Sequence, residues 1–305
     1  MSMPTSGSLP DGVPERILHR LDWHVVRRLD GLLQGDYRSL LRGYGVDFAD
    51  LREYQPGDDI RYIDWNVTAR MNAPYIREYL EDRDIAAWFL LDLSPSVDFG
   101  TVQMQRQKRS VLIDFVATLA RLLNRLGNRV GAILYDGRHQ HVIPMGSGRV
   151  HVLRIINDLL KHPHLTKAPF TDLAPLFDVA LATFKRRSLI IVVSDFISAP
   201  GWERSLHLLN QRHEVLAIRL WDPREMSLPD LGLVVMEDAE TGEQIYVDTR
   251  DKQFRRRFEE AARRREAALS AAFRQAGVDA LSLSTEEDLV GALVRFAVRR
   301  RYRRR

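Results

Sequence analysis

From Pro14 to Leu33 the apolar residues Ile17, Leu18, Leu21, Val25, Leu29 and Leu32 recur at helical spacing. They predict an amphipathic helix, and Pro14 suits its first turn. Between Gly35 and Asp84 the period breaks at Gly43-Tyr-Gly45, Pro56-Gly-Asp-Asp59 and Asn72-Ala-Pro74, predicting short strands and turns. After Asp84 the rhythm alternates. Continuous apolar runs at Ile85 to Leu91, Val130 to Leu134, Leu189 to Val193 and Val215 to Leu220 are separated by helical patterns. These lie near Gln105 to Leu126, Val150 to Leu160, Leu173 to Phe184 and Trp202 to Gln211. Buried-type strands alternating with helices predict a parallel sheet covered on both faces.

A hairpin follows, with strands at Leu233 to Glu237 and Gln244 to Val247 joined through Glu240-Thr-Gly-Glu243. Then come a charged helix from about Asp251 to Gln275, a short strand at Ala280 to Leu283, and a helix opened by Ser284-Thr-Glu-Glu287. In that opening a hydroxyl or carboxylate can accept the orphan amide hydrogens. The fold class expected is α/β, a doubly wound, mostly parallel sheet preceded by a helix and a small turn-rich β module. The divisions expected are a disordered lead at 1–13, the helix and module at 14–83, the sheet domain at 84–298 and a basic tail at 299–305.

Composition narrows the chemistry. Zero cysteines exclude a disulfide framework, a thiolate zinc site, an iron–sulfur cluster and a cysteine nucleophile, and suit a reducing, cytoplasmic setting. No apolar run approaches the roughly 20 residues that a transmembrane helix needs, and the Ser/Pro/Gly-rich start lacks a signal-peptide core. Lys+Arg 45 against Asp+Glu 41 gives a net charge of +4, but six arginines lie in Arg299 to Arg305. Without them the balance is 39 to 41, so the basicity belongs to the terminus and the body is nearly neutral.

In an open parallel sheet, ligands sit outside the carboxyl ends of the strands. Two expected strands end on candidate chemistry, one in Asp92-Leu-Ser94-Pro-Ser96 and one in Ser194-Asp195. Asp92, Ser94 and Ser96 offer a carboxylate and two hydroxyls, hard oxygen ligands that suit Mg²⁺ or Mn²⁺ better than Zn²⁺. With Asp195 as the second carboxylate, a coordination position stays open for an acidic group from outside. The same Asp92 and Ser94 also read as simple caps of the following helix, and Thr171 by itself is an ordinary helix cap.

In order and context, Asp92, Ser94, Ser96, Thr171 and Asp195 resemble the metal-ion-dependent adhesion site of von Willebrand factor A domains. That resemblance implies that the five hold a metal ion, directly or through water, while a partner's Glu or Asp completes the shell. Phe196 stands where many such sites carry glycine.

Upstream, Gly45-Val-Asp-Phe48, Leu51-Arg-Glu-Tyr54, Pro56-Gly-Asp-Asp59, Arg61, Ile63-Asp-Trp65 and Ala69-Arg70 resemble the hallmark of the "domain of unknown function 58" family. This resemblance implies a von Willebrand A-like domain working beside a MoxR-type AAA+ ATPase. Many relatives carry two N-terminal transmembrane helices, and no such segment is seen here. The charged and aromatic residues of this block favour charge pairs set beside aromatic faces. They read first as a structural latch on the sheet and second as a partner-binding surface through Arg52, Asp58, Arg61 and Arg70.

The function expected is therefore a non-catalytic, Mg²⁺-dependent adaptor that joins a MoxR-type ATPase to a client protein presenting an acidic residue. Two alternatives stand beside it. Nucleic acid or an anionic surface could bind the arginine-rich terminus, although no aromatic RNA-binding motif accompanies it. A metal-dependent phosphohydrolase would want a second acid where Ser94 stands, or a histidine close to Ser94, and His24, His139 and His141 are remote in sequence. No phosphate-binding GxxxxGK[ST] loop is present, so any ATPase must be another chain. No acidic or thiol cluster accompanies the pairs His139/His141 and His162/His164, which read as solvated loop residues.

Overall fold

The computed structural model describes residues 13–21, 50–55, 58–60, 63–71, 73–78, 86–98, 107–165, 171–237 and 243–303. Its centre is a six-stranded sheet of β3 (Ala86–Asp92), β4 (Arg129–Tyr135), β5 (Gln140–Gly146), β6 (Leu189–Ser194), β7 (Glu214–Trp221) and β10 (Asp279–Ser284). The strand order is β10-β7-β6-β3-β4-β5. All neighbours are parallel except β4 and β5, which pair antiparallel at one edge. Winding outward in both directions from β3 creates a switch point between β3 and β6, where an open α/β sheet forms its ligand crevice.

Side chains alternate across a strand, so each central strand feeds two cores. Phe89 and Leu91 enter one core, with α1 (Val13–Leu21), α3 (Lys108–Arg125), α4 (Arg149–Lys161) and α8 (Leu289–Arg303) contributing Leu18, Phe115, Ile155 and Phe296. Leu90, Ile190 and Val192 enter the other, with α5 (Ala174–Thr183), α6 (Trp202–Arg212) and α7 (Lys252–Ala276) contributing Phe177, Trp202 and Phe273. Each fully buried Leu, Ile or Phe contributes about 1.5–3 kcal/mol, and burial on both faces explains why these strands read as unbroken apolar runs.

Before the sheet, β1 (Asp50–Glu53) and β2 (Tyr75–Glu78) form an antiparallel pair, with the short helix α2 (Trp65–Met71) between them in sequence. Asp64 caps that helix by accepting from the Val67 amide at 3.3 Å. Beyond β7, β8 (Leu233–Glu237) and β9 (Gln244–Asp248) make the expected hairpin, whose connection at 238–242 lies outside the described residues. The expected helix from Pro14 is described as Val13–Leu21, and its continuation to Leu33 likewise lies outside.

Three local expectations change. The pattern predicts no strand at 140–146, yet β5 is there: only Ile143 is buried, and Pro144 fits an edge strand, so apolar alternation is absent. Ser284 ends β10, and Asp288 starts the last helix instead, its carboxylate accepting from the Gly291 amide at 3.1 Å. The basic stretch from Arg299 continues α8 through Arg303, because the helix is pinned there by a buried guanidinium. Arg300 is 4% exposed and pairs with Glu214 and, at 3.1 Å, with Asp279, at the starts of β7 and β10. Among the described residues, no helix is long and apolar enough to cross a membrane.

Candidate functional site

The parallel register carries Asp92 and Ser194 to the ends of neighbouring strands, on either side of the switch point. The Leu93 amide donates to the Tyr135 carbonyl at 2.7 Å, and the Tyr135 hydroxyl donates to the Asp172 carbonyl at 2.8 Å. The Ala199 amide donates to the Thr171 carbonyl at 2.8 Å, and the Leu173 amide to Ser198 Oγ at 3.0 Å. These bonds tie the loops after β3 and β6 and the loop before α5 into one assembly. Asp92, at the end of β3, and Ser94, Ser96, Thr171 and Asp195, in those loops, are all buried.

Asp92 is 0% exposed and held through both oxygens. Oδ1 accepts from the Ser94 amide at 3.0 Å and Oδ2 from the Ser194 hydroxyl at 2.6 Å. Ser194 Oγ also accepts from the Phe196 amide at 2.8 Å, so the serine before Asp195 ties the first loop to the third. Ser94 Oγ and Ser96 Oγ lie 3.1 Å apart. Burial and the nearby Asp195 charge push the Asp92 carboxyl up to about 6, against the hydrogen bonds from Ser194 and Ser94 that pull it down.

Phe196 solves the third-loop problem without glycine. Its φ is +57°, the left-handed region that a side chain ordinarily avoids at a cost of roughly 1–2 kcal/mol. The ring is buried against Phe273, 4.9 Å away edge-on, and Trp202, 5.4 Å away. Loss of a buried Phe side chain costs about 3–5 kcal/mol, so packing outweighs backbone strain. Phe196→Gly is accordingly expected to lower unfolding stability by about 2–3 kcal/mol in a urea titration, despite restoring the residue that suits the backbone.

The sequence reading missed Lys108. This residue, at the first position of α3, is 0% exposed, and its ammonium donates to Asp195 Oδ2 at 2.7 Å and to Glu225 Oε1 at 2.6 Å. Burial alone would lower it, but the Asp195 and Glu225 charges and hydrogen bonds hold it above the usual lysine range. A signal did exist in the sequence: Lys108 and Arg109 open a helix whose N-terminal dipole favours anions. Both are buried because acids from elsewhere reach them, Arg109 by pairing with Asp98 at 3.1 Å.

Among the described residues, no group of three or more His, Asp or Glu side chains could hold a metal ion. Among the described residues, an ion here would rest on the carboxylates of Asp92 and Asp195 and the hydroxyls of Ser94, Ser96 and Thr171. That hard-oxygen set, with two mutually repelling buried carboxylates, fits Mg²⁺ or Mn²⁺, although Lys108 already supplies one positive charge at Asp195. The histidines gather elsewhere. His139 and His141 are solvent-facing, with His141 on β5, whereas His162 is largely buried with Nε2 3.9 Å from Asp136. Burial and the Arg109 guanidinium hold the His162 imidazole below its usual value, a correction to its reading as a solvated loop residue. Among the described residues, the Ser94 hydroxyl bonds to Ser96 and its amide to Asp92, and neither contact involves a histidine.

Of the upstream candidates, Asp58 accepts from the Gln55 amide at 2.8 Å and so shapes its own turn, while Arg70 is exposed in the last turn of α2. Arg61 and the side chain of Arg52 lie outside the described residues.

The strand order, the antiparallel edge strand and the three converging loops define a von Willebrand A-like α/β domain. Residues 50–268 match the family described as Protein of unknown function DUF58, and the chain belongs to that family. It is 36% identical over 295 residues to an uncharacterised protein of Mycobacterium tuberculosis, covering 97% of this chain and 92% of that one. A relative of the same description from Mycobacterium bovis gives the same figures. Among solved structures, it is similar to an aerotolerance-related membrane protein of Bacteroides fragilis, with 12% identity and a TM-score of 0.47, covering 72% of this chain and 99% of that one. The conserved hypothetical protein BatB of Bacteroides thetaiotaomicron gives 12% identity, a TM-score of 0.43 and the same coverage. Both structural likenesses are distant, and the fold assignment rests on the strand order.

Proposed function

We propose that this chain is a non-catalytic adaptor in the cytoplasm that binds Mg²⁺ (or Mn²⁺) at Asp92, Ser94, Ser96, Thr171 and Asp195. Through that ion it captures an acidic residue of a client protein or of a MoxR-type AAA+ ATPase ring. The observation that carries this reading is the placement of two buried carboxylates at the ends of adjacent strands across the switch point, with the hydroxyls of Ser94 and Ser96 in the first loop and that of Thr171 in another. A bound ion would supply positive charge and a coordination position for a partner's carboxylate. The chain's own residues do the rest. Ser194 and the Ser94 amide orient the Asp92 carboxylate, and Phe196 holds the turn that presents Asp195. Because all five side chains are buried, the loops must open for a partner's carboxylate to enter.

The ATPase association follows from the family resemblance, and the absence of a phosphate-binding loop in this chain is consistent with it. The nucleic-acid reading loses part of its basis, since Arg300 is committed to buried ion pairs.

The test is co-precipitation of the full chain with a MoxR-type ATPase in Mg²⁺, in EDTA and with Asp92→Ala. Recovery in Mg²⁺ alone, abolished by either change, is the expected result. Recovery indifferent to both would overturn the metal bridge.

A further inference from the structure

A buried lysine bonded to a candidate metal ligand is not explained by the adaptor reading. Lys108 stands where α3 begins, and its two carboxylate partners are 87 and 117 residues away in sequence. A buried ammonium is costly unless hydrogen-bonded to charge, so this contact is a specific arrangement and not a stray surface pair. Its geometry is asymmetric. Asp195 Oδ2 accepts from Lys108, while Asp195 Oδ1 accepts from the Ile197 amide at 3.0 Å.

Glu225 is fixed independently of the metal-site loops. Its Oε1 takes Lys108, and its Oε2 accepts from the Asp222 amide at 3.3 Å within a capping box. Asp222 is fully buried, accepts from the Arg224 amide at 2.8 Å, and accepts from the Thr285 hydroxyl at 2.8 Å beyond β10. The ammonium thus bridges a carboxylate of the candidate metal site and one anchored in the turn after β7.

We propose that Lys108 is a tethered cation that shares Asp195 with the divalent ion, so that metal loading proceeds by exchange, the ammonium withdrawing from Asp195 Oδ2 while Glu225 retains it. The inference rests on the metal-site reading given above. It has two consequences. Lys108 keeps Asp195 charge-compensated whenever no ion is bound, and it weakens the affinity for that ion. Glu225 favours loading because it offers the displaced ammonium a prepared partner. Metal occupancy is in this way linked to the turn at 222–225, which is bonded to the segment leading into α8.

The test is Mn²⁺ binding by the full-length chain, read from the electron paramagnetic resonance signal of free Mn²⁺. It compares wild type, Lys108→Met, Glu225→Gln and the double variant. Lys108→Met should bind at least about tenfold more tightly, as the competing cation is gone, and Glu225→Gln several-fold more weakly, as the carboxylate that draws the ammonium away from Asp195 is then lost. The decisive comparison is the cycle. Through-space charge alone would give the Glu225→Gln change equally in both backgrounds, whereas exchange predicts that it nearly vanishes once Lys108 is absent. Equal changes, or a Lys108→Met variant that binds no more tightly than wild type, would overturn the exchange and leave the metal site standing. Absence of Mn²⁺ binding in every variant would overturn the metal site and the exchange together. Circular dichroism checks folding, and Lys108→Gln, which keeps a donor for one carboxylate, replaces the methionine variant if that one does not fold.

Discussion

In the metal-free protein at pH 7.5, Asp92→Asn is expected to raise unfolding stability while abolishing any Mg²⁺-dependent gain. The Asp92 carboxyl is pushed to about 6 from 3.8, chiefly by burial and then by Asp195. A raised carboxyl means that the folded chain binds the proton more tightly than the unfolded one. The associated stability is fully present below about pH 4 and is lost as pH rises through about 6. At 1.36 kcal/mol per unit the charge at neutral pH costs roughly 2–3 kcal/mol, part of which asparagine gives back by rearranging its contact with Ser194. Urea titrations should therefore show the variant up to about 2 kcal/mol more stable at pH 7.5, with the gap closing near pH 4. Adding Mg²⁺ should stabilise wild type, since a ligand that binds only the folded state shifts the equilibrium, and should leave the variant unmoved. A variant less stable than wild type at pH 7.5 in EDTA would contradict the electrostatic account of Asp92.

The second large effect lies at the opposite end of the sheet. Arg300→Met should lower stability by about 3 kcal/mol, because two carboxylates lose the buried guanidinium that compensates them. Two carboxylates, Glu214 and Asp279, remain next to each other in a poorly hydrated place, with Glu214 only 9% exposed in its side chain. Arg299, the adjacent residue, is exposed and reaches only the Phe296 ring at 6.0 Å, so Arg299→Ala should change stability by less than about 0.5 kcal/mol. Thermal or urea unfolding of the two variants side by side checks both numbers. Similar effects would mean that the end of α8 does not dock as described.

Arg299 and Arg300 also show where sequence reading stops. Six arginines in seven residues look like a solvated terminus, and nothing local distinguishes Arg300, which is buried, from its exposed neighbour Arg299. Its partners come from strands 86 and 21 residues earlier, so only the folded chain makes the distinction. Lys108 was hidden for the same reason. By contrast, Asp92 and Asp195 were legible because buried parallel strands announce themselves as apolar runs, and residues just after such strands are placed at the ligand-binding edge by topology. Edge strand β5 was not legible, since polar Gln140 and His141 and the strand-breaking Pro144 interrupt it and only Ile143 is buried, which leaves no buried-type apolar run. Phe196 was visible as a departure from glycine, but its resolution depends on Trp202 and Phe273, which the sequence places 6 and 77 residues away.

The proposed chemistry at the ends of β3 and β6 depends on their holding a divalent ion. Calorimetric titration of the full-length, EDTA-treated and desalted chain with Mg²⁺ tests it most directly. One ion bound per chain is expected in wild type, and no binding in Asp92→Asn at the same concentrations. A wild-type chain that takes up no Mg²⁺, or an Asp92→Asn chain that takes up as much as wild type, would contradict it.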